Sequence, residues 1–452
     1  DEIEDQLNDS SEKPDFNRVH GRGVTEVRAS DLSLDKFLDE KTLRDAPEGE
    51  PSGEQTSVVL LTGANGFLGR EVCIQWMQKL AAVDGKLICI IRAEDDARAR
   101  QRLDLVFESA DPELKQLYHH LADSHLEVLA GDAAEKYLGL GEQRFTQLAD
   151  QVTRICHVAA LVNHRLPYQH LFGPNVVGTA EIIRLAATSK IKTIDFVSTE
   201  AAIPLLDATA GGNEDAEPLQ AVILADSYAG GYATSKWASE VLLRNANQHL
   251  GVPVNILRGN MMLAHQHYPG QINTADMFTR LLYSVVVTGL APYSFYPLAE
   301  DGSKQSQHYD GLPVDVVAGS VIAVAKTYHT GCHAFNICNY HHTDNCSLDT
   351  FVDWIESYGY KIVRIDDYQL WFDRFKDKLN TLPEEQKQYS ALEVLGAYQQ
   401  PNQLDSHIEV DCKNFRGLVS GLYGESGLPH IDERFIHKCL SDMKILGLIS
   451  DQ

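Results

Sequence analysis

Six short apolar runs recur between residues 57 and 259: "SVVLLT", "LICIIR", "LEVLAGD", "RICHVAA", "IDFVSTE" and "VNILRG". Stretches with helical spacing, "REVCIQWMQKL" first, separate most of them. Apolar runs of this length, without polar alternation, suit strands buried on both faces. Strands that alternate with helices build a parallel sheet covered on each side. The reading is an α/β chain: a Rossmann-like, doubly wound parallel sheet with a smaller mixed, mostly helical C-terminal substrate domain. With 452 residues, 44% of them hydrophobic, the chain can bury one large core or two linked ones.

The rhythm sets the expected boundaries. Residues 57–258 carry the sheet and 259–452 the second domain, from which "HAFNICN", near 333–339, returns as a strand. In the second domain Trp354, Tyr368, Leu370, Trp371, Phe372 and Phe375 are core candidates. Residues 1–56 hold 16 acidic and 7 basic residues and read as a linker. Within it one ordered piece, "ASDLSLDKFLDE", offers Leu32, Leu34, Phe37 and Leu38 for docking on a neighbour.

Between the first strand and its helix lies "TGANGFLGR", which spaces Gly63, Gly66 and Gly69 as G-x-x-G-x-x-G. In that context glycines let backbone N–H groups approach a pyrophosphate, and the following helix offers its positive end. The expectation is a dinucleotide site. The second strand ends in Arg92, which can pair with a 2′-phosphate and favours NADP, although Glu94 and Asp95 follow closely. After the third strand Asp132 stands either against adenine or as a plain turn residue.

Downstream, "GYATSKWASEVLL" sets Tyr232 and Lys236 four apart, on one helical face. An isolated pair of this kind is an ordinary amphipathic helix. Beside a dinucleotide fold, and after a strand ending in Ser198 and Thr199, it reads as chemistry. Lys236 is expected to bond the nicotinamide ribose and to lower the Tyr232 phenol from its free value of about 10. Tyr232 then donates to a carbonyl oxygen as hydride reaches the carbon. Thr199 supplies a second donor, and one such donor is typically worth about 3–4 kcal/mol of barrier.

These marks resemble the short-chain dehydrogenases/reductases, in their extended branch. More narrowly, "LLTGANGFLGR", "GKLICIIRA", "AALVNHRLPYQHLFGPNVVGTAE", "GQINTADMFTRLL" and "SQHYDGLPVDVVA" are similar to the thioester reductase domain of carboxylic acid reductases, from about residue 20 to the end. The resemblance implies reduction of an acyl thioester, held on the phosphopantetheine arm of a carrier domain, to an aldehyde by NADPH. It implies Thr199, Tyr232 and Lys236 as catalytic. It implies Gly63, Asn65, Gly66, Phe67, Leu68, Gly69, Arg92, Asp132, Ala159 and Ser198 as binding NADP, together with Tyr232 and Lys236, and with help from Asn163 and Asn175. An adenylation domain and the acyl carrier domain are the implied partners in the same polypeptide, with residues 1–25 as the carrier's tail. The chain starts without Met and reads as a piece of something longer. It holds no L-G-G-x-S carrier motif, so the arm comes from outside this chain. Two departures stand out: the family's acidic residue is Asn260 here, and Glu200 replaces a small residue after the threonine.

Two other readings stay open from the residues alone: a nucleotide-sugar epimerase or dehydratase of the same superfamily, and a non-catalytic NADP-binding module. Other classes fit poorly. A net charge of −25 argues against nucleic acid or anionic membranes as partners. No run of about 18 apolar residues suggests a membrane span. Eight scattered cysteines read as reduced thiols of a cytoplasmic protein, expected to be a monomer. "GCHAFNICNYHHTDNC" gathers Cys332, His333, Cys338, His341, His342 and Cys346. It lacks C-x-x-C and reads as strand plus polar loop, so no metal is assigned.

Overall fold

The computed structural model describes residues 13–49, 56–108, 111–207, 213–225, 227–402, 410–424 and 427–450. In chain order its strands are β1 (Glu26–Arg28), β2 (Val58–Thr62), β3 (Lys86–Ile91), β4 (Leu126–Ala130), β5 (Arg154–His157), β6 (Thr193–Thr199), β7 (Ala221–Ile223), β8 (Val254–Gly259), β9 (Met261–Leu263), β10 (Leu290–Pro292), β11 (Gly311–Pro313), β12 (Cys332–Ile337) and β13 (Val363–Ile365). Seven of them form one sheet in the order β12-β8-β6-β5-β2-β3-β4, parallel throughout. All six apolar runs are strands of this sheet, and β12 is the expected returning strand.

Chain order reverses at β2. Strands β3 and β4 lie to one side, and β5, β6, β8 and β12 to the other. The loops leaving β2 and β5 therefore splay apart, opening the crevice where doubly wound sheets bind ligands. One face of the sheet is covered by helices Phe67–Ala81, Asp96–Glu108, Pro112–His125, Val314–Thr327 and Lys413–Tyr423. The other carries Glu142–Gln151, Gly178–Ala186 and Gly230–Leu250. A third core, built by helices Met277–Thr288, Leu348–Ser357, Tyr368–Asn380 and Glu433–Ile445, forms the C-terminal part. Among the described residues, no helix is long and apolar enough to cross a membrane.

The division of the chain differs from the sequence expectation in two places. Helices 314–327 and 413–423 pack on the sheet, not in the second domain, because their apolar faces meet the 67–81 helix and β12. The supposed linker is also folded from Phe16 onward. Phe16, Val19, Val27, Leu32, Leu34, Phe37 and Leu38 are all buried in the core under the sheet's second face, and β1 pairs with β7. Polar groups fix the same segment. His20 Nε2 lies 3.1 Å from the Tyr168 hydroxyl, and Arg184 donates to Glu181 and to the Phe37 carbonyl, 3.1 Å away. Residues 1–12 and 50–55 of that reading lie outside the described residues. In the third core Trp371, Phe372 and Phe375 are buried as expected. Leu370 is not: at 43% exposure it faces solvent, one position off the buried stripe.

A chain beginning at Ala46 is expected to lose its cooperative thermal transition. Each of seven buried apolar side chains contributes about 1.5–3 kcal/mol, against a net stability of roughly 5–15 kcal/mol. Calorimetry of the shortened chain beside the full one checks this.

Candidate active site

A cavity of about 1520 Å³ opens over the C-terminal ends of the sheet strands. It brings together Gly63, Asn65, Gly66, Phe67, Leu68, Gly69, Arg92, Asp132, Ala159, Ser198, Thr199, Tyr232 and Lys236. Asn163 and Asn175 are not in its wall.

The glycine turn is shaped by contact with its own backbone. Gly63 has φ +79°, and a Cβ there would stand 2.7 Å from the Ala159 nitrogen. A Cβ on Gly69 would lie 1.8 Å from the Gly63 carbonyl oxygen. Gly66 is different, since a Cβ there meets nothing nearer than 3.4 Å. A side chain at Gly66 would fit the protein and obstruct the cavity. Gly66 also caps the 67–81 helix without a side-chain bond, and the helix has no acidic residue in its first turn. Its free amides thus face the cavity end with nothing to neutralise their partial positive charge. A pyrophosphate-bearing dinucleotide fits these features.

At one end of the cavity Arg92 Nε pairs with Asp132 Oδ2 at 2.8 Å. Asp132 also accepts from the Ala134 amide at 2.9 Å. Arg102 reaches in from the 96–108 helix, donates to the Arg92 carbonyl, and lines the same wall. Two guanidinium groups therefore serve this end. Sequence reading missed Arg102, although its place ten residues after Arg92, on the next helix, made it a candidate.

At the other end stand the hydroxyl, phenol and ammonium. The 230–250 helix buries Tyr232, Lys236 and Glu240, three successive turns of one face. Lys236 Nζ donates to the Val197 carbonyl at 2.7 Å and lies 4.5 Å from the centre of the Phe196 ring. Burial pushes its pKa down to about 7. Burial also pushes the Tyr232 phenol above its usual value, with no offsetting contribution from Lys236. This corrects the expectation that the ammonium lowers the phenol: the ammonium bonds a strand carbonyl, and desolvation of the phenolate dominates. Thr199 Oγ1 accepts from the Ala201 amide at 3.3 Å, which leaves its O–H free to donate elsewhere. Ser198 is not equivalent, because its hydroxyl donates to Glu240 Oε1 at 2.6 Å. Its share in the wall comes beside that commitment.

Asn163 and Asn175 organise the loop behind the cavity. Asn163 Oδ1 accepts from the Arg165 and Leu166 amides at 2.9 and 3.0 Å. Asn175 Oδ1 accepts from Leu161 N at 2.7 Å, and its Nδ2 donates to Ser235 Oγ at 2.9 Å. That loop sits on the start of the 230–250 helix. A Cβ on Gly231 would be 2.3 Å from the Leu166 carbonyl oxygen. Ala229, at φ +62°, donates its N–H to the His164 carbonyl at 2.9 Å. The paired glycines "GG" before Tyr232 were the readable sign of this close approach.

Both departures from the family pattern, Asn260 and Glu200, line the cavity. Asn260 donates to Asp310, whose burial raises its carboxyl to about 6. Asp276 was not foreseen. It caps the 277–288 helix through Thr279 N at 2.6 Å, and its other oxygen is buried without a partner. Burial brings its pKa to about 7.

Residues 61–321 match the model of NAD_binding_4, the Male sterility protein family. The chain belongs to that family. It is 45% identical to the carboxylic acid reductase of Segniliparus rugosus over 451 residues, 99% of this chain and 38% of that protein. With the carboxylic acid reductase of Mycobacterium marinum the figures are 45% identity, 99% and 39%. The chain thus spans about two-fifths of these relatives. Among solved structures, the reductase (R) domain of a nonribosomal peptide synthetase from Mycobacterium tuberculosis superposes with a TM-score of 0.85. That match has 39% identity and covers 94% of this chain and 100% of the other. A UDP-glucuronic acid 4-epimerase from Bacillus cereus, 15% identical with a TM-score of 0.52, shares the fold alone. The protein is therefore a reductase domain of the extended short-chain dehydrogenase/reductase superfamily and a nicotinamide-dependent oxidoreductase.

Gly69→Ala is expected to cost more than about 2 kcal/mol, as other overpacking substitutions do, because the added methyl meets backbone. Urea denaturation and dinucleotide binding, measured together, should both show the loss.

Proposed function

We propose that this chain reduces an acyl thioester, held on the phosphopantetheine arm of a carrier domain, to an aldehyde with NADPH. One observation carries the reading. A single cavity joins a glycine turn, two guanidinium groups at one end, and Thr199, Tyr232 and Lys236 at the other. The likeness to carboxylic acid reductases and to nonribosomal peptide synthetase reductase domains supports the thioester as substrate. The short span against those relatives supports carrier and adenylation domains in the same polypeptide.

In this reading the amides at the start of the 67–81 helix hold the pyrophosphate. Arg92 and Arg102 hold the 2′-phosphate, and Lys236 holds the nicotinamide ribose. When bound, the nicotinamide would supply hydride to the thioester carbon; the hemithioacetal this leaves then breaks its C–S bond, the pantetheine thiol departing with a proton and the aldehyde remaining. Tyr232 keeps its proton at neutral pH, because burial raises the phenol. It is thus an acid, suited to give a hydrogen bond or proton to the oxygen that gains charge. Thr199 donates to the same oxygen. The half-buried volume beyond them, walled by Met261, Met277 and Val394, receives the acyl chain.

Stopped-flow absorbance of NADPH with an acyl-pantetheine thioester, followed by product analysis, tests the proposal. Consumption with aldehyde formation is expected; binding without turnover overturns it. Tyr232→Phe should keep cofactor affinity and lose turnover by about 100- to 10,000-fold, the usual worth of a positioned acid. Lys236→Ala should lose both. A Tyr232→Phe variant close to the parent in rate would remove the phenol from the mechanism.

Cofactor preference has its own test. Arg92→Ala and Arg102→Ala are each expected to weaken NADPH binding by about tenfold, the scale of one charge-assisted hydrogen bond, and to leave NADH nearly unchanged. Titration by fluorescence reads both. Equal losses for the two cofactors would overturn the 2′-phosphate assignment.

A further inference from the structure

The histidine-rich stretch noted in the sequence has no part in the cavity. The structure disperses most of it. Cys332 and His333 open β12, Cys338 shares a hydrogen bond with Cys412, and Cys346 is buried in the third core. His341 and Asp344, however, meet a residue that no local motif could reveal, His430.

One donor atom from each of His341, Asp344 and His430 lies within 4.8 Å of the other two. The rings of His341 and His430 stack with centroids 3.9 Å apart and planes 21° from parallel, so His430, exposed at the surface, has to turn out of the stack for both rings to aim their in-plane lone pairs at one ion. His430 Nδ1 is 2.5 Å from Asp344 Oδ2. Both sides of the cluster are held in place by other groups. The Asp344 amide donates to the His341 carbonyl at 3.2 Å, closing a turn that sets the two side chains together. The His341 amide donates to Asn339 Oδ1 at 3.1 Å. From the opposite segment the Leu428 amide donates to the Tyr340 hydroxyl at 3.2 Å.

The His341 ring is oriented as a metal ligand needs. Its Nε2 lies 2.9 Å from the Leu428 carbonyl oxygen. A carbonyl only accepts, so that nitrogen carries the ring proton and Nδ1 keeps a lone pair. A backbone carbonyl on the far nitrogen is the usual support of a ligating imidazole. His430 is 58% exposed at its side chain, which leaves a path for entry and a position for water. Beyond His341 lies His308, 4.6 Å from the His342 ring centroid to centroid. The chain's net charge of −25 favours cations generally.

We propose that His341, Asp344 and His430 bind a divalent transition-metal ion, zinc fitting best, which ties the loop after β12 to the segment entering the last helix. Two imidazoles, one carboxylate and a water make a four-coordinate zinc set. Calcium and magnesium prefer oxygen ligands throughout. The ion takes the place of the proton between His430 and Asp344, and that proton is released to solvent. The clamp joins two surface segments of the C-terminal part. It acts on their stability and stands apart from the reductase chemistry.

The test uses the full chain without an affinity tag, stripped by chelator. Zinc chloride is titrated in by calorimetry, with magnesium chloride as the control, and thermal unfolding is followed with and without zinc. One zinc equivalent, a raised Tm and no magnesium binding are expected. His430→Ala alters an exposed side chain and Asp344→Asn keeps the shape of a partly buried one, so both should fold. Each should weaken zinc at least tenfold and abolish the Tm rise. Absence of saturable zinc binding in the parent overturns the proposal, as does unchanged binding in both variants.

Discussion

A fully buried ion pair between Glu240 and Arg258 sets the position of Thr199, Tyr232 and Lys236. Arg258 donates to both carboxylate oxygens, at 3.0 and 2.8 Å, and neither side chain reaches solvent. Ser198 donates to the same carboxylate, and Arg258 continues to the Glu214 carbonyl at 2.8 Å. The pair thereby fastens the 230–250 helix to β6 and β8. Thr199 follows Ser198, Asn260 lies two beyond Arg258, and Lys236 sits one turn before Glu240. Leaving either charge unpaired at this depth costs about 3–5 kcal/mol, so helix and strands cannot slide independently. The registry of phenol, ammonium and hydroxyl rests on that constraint.

Desolvation then tunes what has been positioned. It raises the Tyr232 phenol and lowers the Lys236 ammonium, each away from its charged form. The left-handed backbone at Ala229, which costs roughly 1–2 kcal/mol in a residue with a side chain, stands at the entry of the same helix. It lets the loop behind the cavity seat directly on the helix start. A left-handed residue and a buried ion pair thus both bear on the helix that carries Tyr232 and Lys236.

The sheet was legible because a strand buried on both faces has to be written as an apolar run, and six such runs stand in the sequence. The glycine turn and the Tyr232–Lys236 pair were legible because their chemistry imposes fixed short spacings. Other features left no such mark. Of the seven apolar side chains buried between Phe16 and Leu38, Leu32, Leu34, Phe37 and Leu38 were legible as a docking piece, while Phe16, Val19 and Val27 stand singly in an acidic stretch that reads as linker. Leu370 was grouped with its aromatic neighbours by composition, and helix phase put it outside. Asn163 and Asn175, expected to help hold NADP, bond loop backbone and Ser235 outside the cavity wall. Glu240 and Arg258 were both visible as charges in buried elements. Such charges demand partners, but nothing in the chain names which.

The sequence by itself determined the parallel sheet, the glycine turn and the one-turn spacing of Tyr232 and Lys236, because hydrophobic periodicity and short-range stereochemistry are written locally. Tertiary structure alone decided that Lys236 bonds the Val197 carbonyl and leaves the phenol raised. It also decided that Arg102 joins Arg92, and that His430 meets His341 and Asp344. Desolvation and long-range pairing depend on what surrounds a group in space, and chain order does not encode that distance.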